Sequence, residues 1–218
     1  MDNFPTQEEV TSAILQGLLL AKRNYTYWSQ DPLYLSDAPA NFLSIHVAQC
    51  IANIQNPPEI FLDASTADIL KCSLSKKDNF RNFMKKNSIS QDVITLTLDE
   101  RFEHKNENDS ISRVIITLKN GVRNAKDEYK KNIETICKML SFENKEESSL
   151  AFGIFAFYLD ISNTARIKAD KRVKEIIGIF DEIVSSYTNL QSNFKGGDVS
   201  KVENEGEWCV GCYIIEPK

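Results

Sequence analysis

Few residues in this sequence have the type and spacing that chemistry demands. Asp92 heads the β-branched run Asp92-Val-Ile-Thr-Leu-Thr-Leu98, and Lys119 closes the run Arg113-Val-Ile-Ile-Thr-Leu-Lys119. Taken singly, each suits its place as a strand-start turn residue or a solvated charge before the Asn120-Gly121 turn. On adjacent strands the two would meet, and that joint placement is what marks them. Cys209-Val-Gly-Cys212 has the spacing of a metal or redox pair, but no second cysteine pair or nearby histidine completes a zinc site. In a strand, a separation of three residues sends the two thiols to opposite faces, so both read as packing residues. His46 falls on an apolar helical stripe, and with His104 as the only other histidine a histidine-based mechanism has few parts. Gly-x-Ser-x-Gly, a Walker loop and Gly-x-Gly-x-x-Gly are all missing, which removes the markers of the commonest hydrolases and nucleotide binders.

Two basic groups could track a phosphate backbone: Arg166, Lys168, Lys171, Arg172 and Lys174, and Lys76, Lys77, Arg81, Lys85 and Lys86. The plainer reading is a solvated helix face, because Glu175, Asp181 and Glu182 follow the first group and the chain carries a net charge of −5. That charge gives no general drive toward nucleic acid or an anionic membrane. A chain of 218 residues, 42% hydrophobic and 26% charged, is expected to fold as one packed α/β domain. The apolar stretch Ala13 to Ala21 is too short for a bilayer, so no membrane association is expected. With no targeting segment evident, the expected location is the cytoplasm, where Cys50, Cys72, Cys137, Cys209 and Cys212 would stay reduced.

The elements that would position these residues follow from periodicity. Thr6 and Glu9 form a capping box for a first helix running to about Arg23, followed by an irregular stretch whose Tyr25, Tyr27, Trp28 and Tyr34 would roof the core. A second helix is expected from Asp37, with Pro39 in its first turn and Phe42, Leu43, His46, Val47, Cys50, Ile51 and Ile54 on one stripe. Glu59 to Asp63 reads as a short strand, and Ser65 to Cys72 and Asp78 to Lys86 as short helices. The two β-branched runs then form a long antiparallel hairpin around the charged loop Asp99 to Ser112. A helix carrying Tyr129, Ile133, Ile136, Cys137 and Leu140 follows, then a strand from Ser149 to Leu159, a long helix from Asn163 to about Leu190, a turn at Lys195 to Gly197 and a last strand from Trp208 to Ile215. The outcome is a mixed central sheet of about five strands with long helices on both faces. Residues 1–36 would be a helical extension and residues 37–218 the core.

From Asp37 to Leu159 this αβββαβ order resembles the restriction-endonuclease-like PD-(D/E)XK superfamily. The resemblance implies a carboxylate at the start of the central hairpin, which is Asp92 here, and a Glu-x-Lys or Asp-x-Lys on the next strand. Ile116-Thr117-Leu118-Lys119 stands where the family reads Ile-Glu-Val-Lys, so Lys119 fits and Thr117 replaces an acid by a neutral hydroxyl. In the family two hard oxygen ligands hold magnesium while the lysine acts on water and on charge at the phosphate. The implied catalytic set is thus Asp92, Thr117 and Lys119, with Asp92 as the metal ligand. Many members add a glutamate on the first core helix, where Ala38-Pro-Ala-Asn41 offers none; Asp63, Glu128 and Glu100 are the acids that could substitute. The implied function is a degenerate nuclease relative acting as a noncatalytic binding subunit for DNA or a protein partner, without cofactor, in bacterial DNA processing or antiphage defence. The alternatives are a magnesium-dependent endonuclease with a relocated acid, or an interaction protein of unrelated α/β fold whose aromatic group meets a partner.

Overall fold

The computed structural model describes residues 4–39, 41–76, 79–100, 110–142 and 144–218. Among these residues it is an α/β fold whose mixed, open sheet has seven strands. Helix α1 (Gln7–Ser29) starts at the expected capping box: the Thr6 hydroxyl accepts from the Glu9 amide at 3.3 Å, and the Glu9 carboxylate accepts from the Thr6 amide at 2.8 Å. Helix α2 (Phe42–Ala52), strand β1 (Glu59–Ser65), α3 (Thr66–Ser73) and α4 (Phe80–Lys86) follow. Next come β2 (Val93–Asp99), β3 (Ser112–Lys119), α5 (Asp127–Leu140), β4 (Phe152–Ser162) and α6 (Ala169–Ser185). The chain closes with β5 (Leu190–Gly196), β6 (Ser200–Val202) and β7 (Gly206–Pro217).

The sheet runs β1-β2-β3-β4-β7-β5, with β6 also paired to β7. β1, β2 and β3 are antiparallel neighbours, and α5 carries the chain over to β4, which lies parallel to β3. Strand alternation splits the core in two. Val114, Ile116, Ile154, Ala156, Val210 and Cys212 pack under α1 and α2, while Ile115, Phe155, Phe157, Cys209 and Tyr213 pack under α3, α5 and α6.

Several sequence expectations are corrected. The sheet exceeds five strands because Leu190–Gly196 and Ser200–Val202 both pair with β7; the glycines and charges of 195–200 hid two edge strands behind a turn signal. α1 continues to Ser29, so Tyr25, Tyr27 and Trp28 are helical rather than irregular, and Tyr27 and Trp28 are 77% and 65% exposed. Tyr25 packs against the core beside Phe42, whereas Tyr27 and Trp28 do not roof it. Residues 35–37 form a separate 3-10 turn, and α2 begins at Phe42, after Pro39. The long helix starts at Ala169, which leaves Arg166 and Lys168 ahead of its first turn, and it ends before Leu190. Phe102 and His104, part of the expected hairpin loop, lie outside the described residues, although the Glu100 amide donates to the Ile111 carbonyl at 2.9 Å at its base.

α1 and α2 meet at Gly17, where a Cβ would stand 2.5 Å from the Val47 Cα, a backbone atom that cannot yield without moving α2. Gly17→Ala is expected to destabilise the fold by about 1–3 kcal/mol in urea unfolding. Gly178→Ala in α6, where nothing lies within 4 Å of the added methyl, is expected to stabilise by about 0.5–1 kcal/mol.

Candidate functional site at a fork in the sheet

The β2–β3 ladder joins Leu96 to Ile116, Thr97 to Ile115, Leu98 to Val114 and, past an irregularity, Asp99 to Ser112. Toward the other end the strands part. Val93 and Ile94 pair with Ser65 and Ala64 of β1, whereas Thr117, Leu118 and Lys119 pair with Phe155, Ala156 and Phe157 of β4. The gap between them is bridged by a side chain, since the Leu118 amide donates to the Thr95 hydroxyl at 3.2 Å. That hydroxyl satisfies a backbone group the ladder has released.

Alternation decides what faces the fork. Ile115 belongs to the core under α5, and Ile116 and Leu118 to the opposite one, so Thr117 and Lys119 share the α5 side. Lys119 Nζ meets Glu128 Oε1 of α5 at 2.5 Å. Asp92 sits just before β2, two residues from Ile94, which also packs on the α5 side. Its Oδ2 lies 3.4 Å from Lys131 Nζ of α5 and accepts from the Ser90 hydroxyl. Its backbone is pinned to the start of α3, the Thr66 amide donating to the Asp92 carbonyl at 2.9 Å. Glu128 and Lys131 are three residues apart on one helix and therefore neighbours on its surface. Asp92 and Lys119 thus face the same turn of α5, with the buried Thr117 beside Lys119 on β3.

The four charges Asp92, Lys119, Glu128 and Lys131 sum to zero. The fork therefore offers a divalent cation no net attraction, and Thr117 adds only a neutral oxygen. Lys131 by itself would be a weak obstacle, since it is 60% exposed and such pairs contribute about 0.2–1 kcal/mol. The missing anion is the larger effect. Among the described residues no group of three His, Cys, Asp or Glu is placed to hold a metal ion. These residues do not make the set of hard oxygen ligands that magnesium requires.

Of the three acids that could substitute, Glu128 is the one whose carboxylate pairs with a residue of the fork. Glu100 pairs with Arg113 at 2.6 Å beyond the far end of β2, and Asp63 is exposed on edge strand β1, in a left-handed conformation at φ 53°. The first basic group is spread over a turn and a helix. Arg166, Lys168, Lys171 and Lys174 are exposed, Lys168 Nζ donates to the Asn163 carbonyl at 2.8 Å, and Arg172 pairs with Glu175 at 3.0 Å. They follow β4 at the end of the sheet where β3 finishes, which is also the fork's end.

Cys209 and Cys212 belong to opposite cores as strand geometry requires; burial pushes the Cys209 thiol up to about 12 and raises that of Cys212 as well. Neither is a ready thiolate. His46 is buried in hydrogen bonds, Nδ1 to the Phe42 carbonyl at 2.9 Å and Nε2 to Asn24 Nδ2 at 3.0 Å, the core histidine its place on the stripe suggests.

Sequence reasoning missed a second polar cluster, on the α1 side. Asp160, fully buried in β4, accepts from Arg123 Nε at 2.6 Å, and Arg123 Nη2 also donates to the Ser36 hydroxyl at 3.1 Å. Lys22 of α1 donates to the Thr26 hydroxyl at 2.5 Å and the Pro32 carbonyl at 2.8 Å. Burial lowers its pKa, opposed by Asp31, Asp160 and Glu205. The available signal was an aspartate ending the unbroken apolar run Phe152 to Leu159, where a charge must find a partner to be buried. Comparison with protein-family models, with curated proteins and with solved structures finds no match, so geometry carries the functional reading.

The Glu128 carboxyl is held below its ordinary range, first by the hydrogen bond from Lys119, with burial opposing and the charges of Lys119 and Lys126 assisting. Because the folded value is the lower one, the stabilisation is present above the ordinary glutamate range and fades as pH falls through the depressed value. A double-mutant cycle with Lys119→Met and Glu128→Gln is expected to give a coupling under about 1 kcal/mol at neutral pH, Glu128 being largely exposed and screened, and less in acid. A coupling that grows on acidification would contradict the assignment.

Proposed function

We propose that this chain is a restriction-endonuclease-like protein that has lost metal-dependent cleavage and works as a nucleic-acid-binding subunit. The observation that carries the proposal is the closed fork: the aspartate and lysine expected of a nuclease stand at parting strands, and one turn of α5 neutralises both. Supporting it is the order α2, β1, β2, β3, α5, β4, with β4 parallel to β3 and the pair α3–α4 inserted between β1 and β2. In this reading Thr117 stands where cleavage would need an anion, and Asp92 and Lys119 are each neutralised by a counter-ion on α5. The exposed cations that follow β4 at the same end, Arg166, Lys168, Lys171 and Lys174, supply phosphate contacts. Bacterial DNA processing or antiphage defence is the setting such a relative would serve. A second reading, a working magnesium-dependent endonuclease, is favoured by the position of Glu128, an acid within reach of Lys119.

Plasmid incubated with the protein and Mg²⁺ or Mn²⁺ is expected to remain uncut, and Lys119→Ala to change nothing in that assay. Thr117→Asp should lower the melting temperature in metal-free buffer, because it buries a carboxylate. Mn²⁺ should then raise the variant's melting temperature while leaving the parent's unmoved. Nicking by the parent protein that Asp92→Ala or Lys119→Ala abolishes would overturn the noncatalytic reading in favour of the second.

A further inference from the structure

Residues 71–91 hold six basic residues, Lys71, Lys76, Lys77, Arg81, Lys85 and Lys86, against one acid, Asp78, in a chain that is acidic overall. Lys77 and Asp78 lie outside the described residues. The described part of this segment includes α4, which has no buried residue and shows Arg81, Lys85 and Lys86 to solvent. Lys76 and Lys85 have no carboxylate partner among the described residues, in contrast to Lys119, Lys131 and Arg172. Beside α4 runs an open groove of about 490 Å³, lined by Lys76, Lys86, Asn79, Asn82 and Ser75 together with Phe83 and Leu74, and with Glu147 as the one acid among its described lining residues. Glu147 is already engaged, its Oε1 accepting from Asn144 Nδ2 at 3.1 Å. Cations alternating with amides and a hydroxyl are the donor set that phosphate oxygens and sugars accept from.

The surface continues toward the fork. Residues 88–92 lead from α4 to Asp92 along α5, where Lys138 Nζ approaches the Ser88 carbonyl at 3.4 Å and Lys131 reaches Asp92. Lys131 and Lys138 are seven residues apart on α5, roughly 10 Å along one helical stripe. We infer that α4 and its groove, an insertion between β1 and β2, form the docking surface for the phosphate backbone of duplex DNA. The inference takes its class of partner from the function proposed above and its location from the charge distribution alone. Duplex is favoured over single strands because Phe80 and Phe83 are half-buried, Phe83 stacked on Phe142 at 4.7 Å, which leaves no free ring for a base to stack on. DNA is favoured over a membrane because the exposed large apolar side chains lie on α1, α2, β1 and β2 and none on α4, so this helix has nothing to insert among acyl chains.

Anisotropy of a labelled duplex of about two helical turns, titrated with the full chain across a salt series, tests this directly. Lys76→Glu/Lys85→Glu is expected to weaken binding at least tenfold and to flatten the slope of log K against log salt by about 2, the loss of two phosphate contacts. Lys171→Glu/Lys174→Glu reports on the α6 cluster separately and should cost less. The neutral pair Lys76→Gln/Lys85→Gln, with its melting curve, should show the same order of loss in a folded protein. Binding unchanged in the α4 variants, binding lost only in the α6 variant, no duplex binding by the parent at low salt, or capture by phosphatidylserine vesicles in place of duplex would each overturn the inference. Metal-dependent nicking by the parent would instead sink the noncatalytic reading and leave the α4 surface standing.

Discussion

Where β2 and β3 part, two opposite charges are left at the edge of the sheet, and a single turn of α5 gives each its counter-ion. Asp92 and Lys119 would repel or attract any third party at this end of the fold if they stood alone. Glu128 and Lys131, neighbours on the helix, cancel both at once. The individual pairs are half-exposed and weak, so they do not hold the fold together; the apolar side of α5, with Tyr129, Ile133, Ile136 and Leu140, does that. What the pairs fix is the electrostatic character of the fork. A site that sums to zero, with a neutral threonine beside its lysine, has no net charge with which to gather a cation or a phosphate.

The opposite face is organised differently. There Asp160 is fully buried, and Arg123 reaches in beside the Tyr34 ring, its guanidinium 5.7 Å from the ring centre. Removing Arg123 leaves the Asp160 charge without compensation, which in a fully buried pair typically costs about 3–5 kcal/mol and here less, Arg123 being 49% exposed. Lys22, 5.4 Å from the centre of the Trp208 ring, and the Tyr158 hydroxyl, which donates to the Leu33 carbonyl, tie the segment after α1 to the same strands. The α1 side thus carries an ion pair with a fully buried carboxylate, whereas both carboxylates at the fork are partly exposed.

Much of this was legible in the sequence where a period was clean. The capping box at Thr6, the β-branched hairpin and the amphipathic α5 each have one dominant signal, and each lies where it was expected within a few residues. The fork was legible only as a juxtaposition: Asp92 and Lys119 could be placed on neighbouring strands, but their counter-ions could not, because Glu128 and Lys131 read as ordinary surface charges of α5. β5 was lost because Lys195, Gly196 and Gly197 imitate a turn, although residues 190–196 pair with β7 throughout. α1 was cut short since aromatic residues at 25, 27 and 28 are indifferent helix formers, and the helix ends at Gln30 in a left-handed cap that no glycine announces. The Asp160–Arg123 pair joins residues 37 apart in sequence, a distance across which local patterns carry no information.

Crystals soaked in Mn²⁺ and measured for anomalous scattering at the fork would put the central claim to its most direct test. The account predicts no manganese peak within ligand distance of Asp92, with Glu128 still on Lys119 and Lys131 still on Asp92. A peak bound jointly by Asp92 and Glu128, with both lysines turned away, would contradict it.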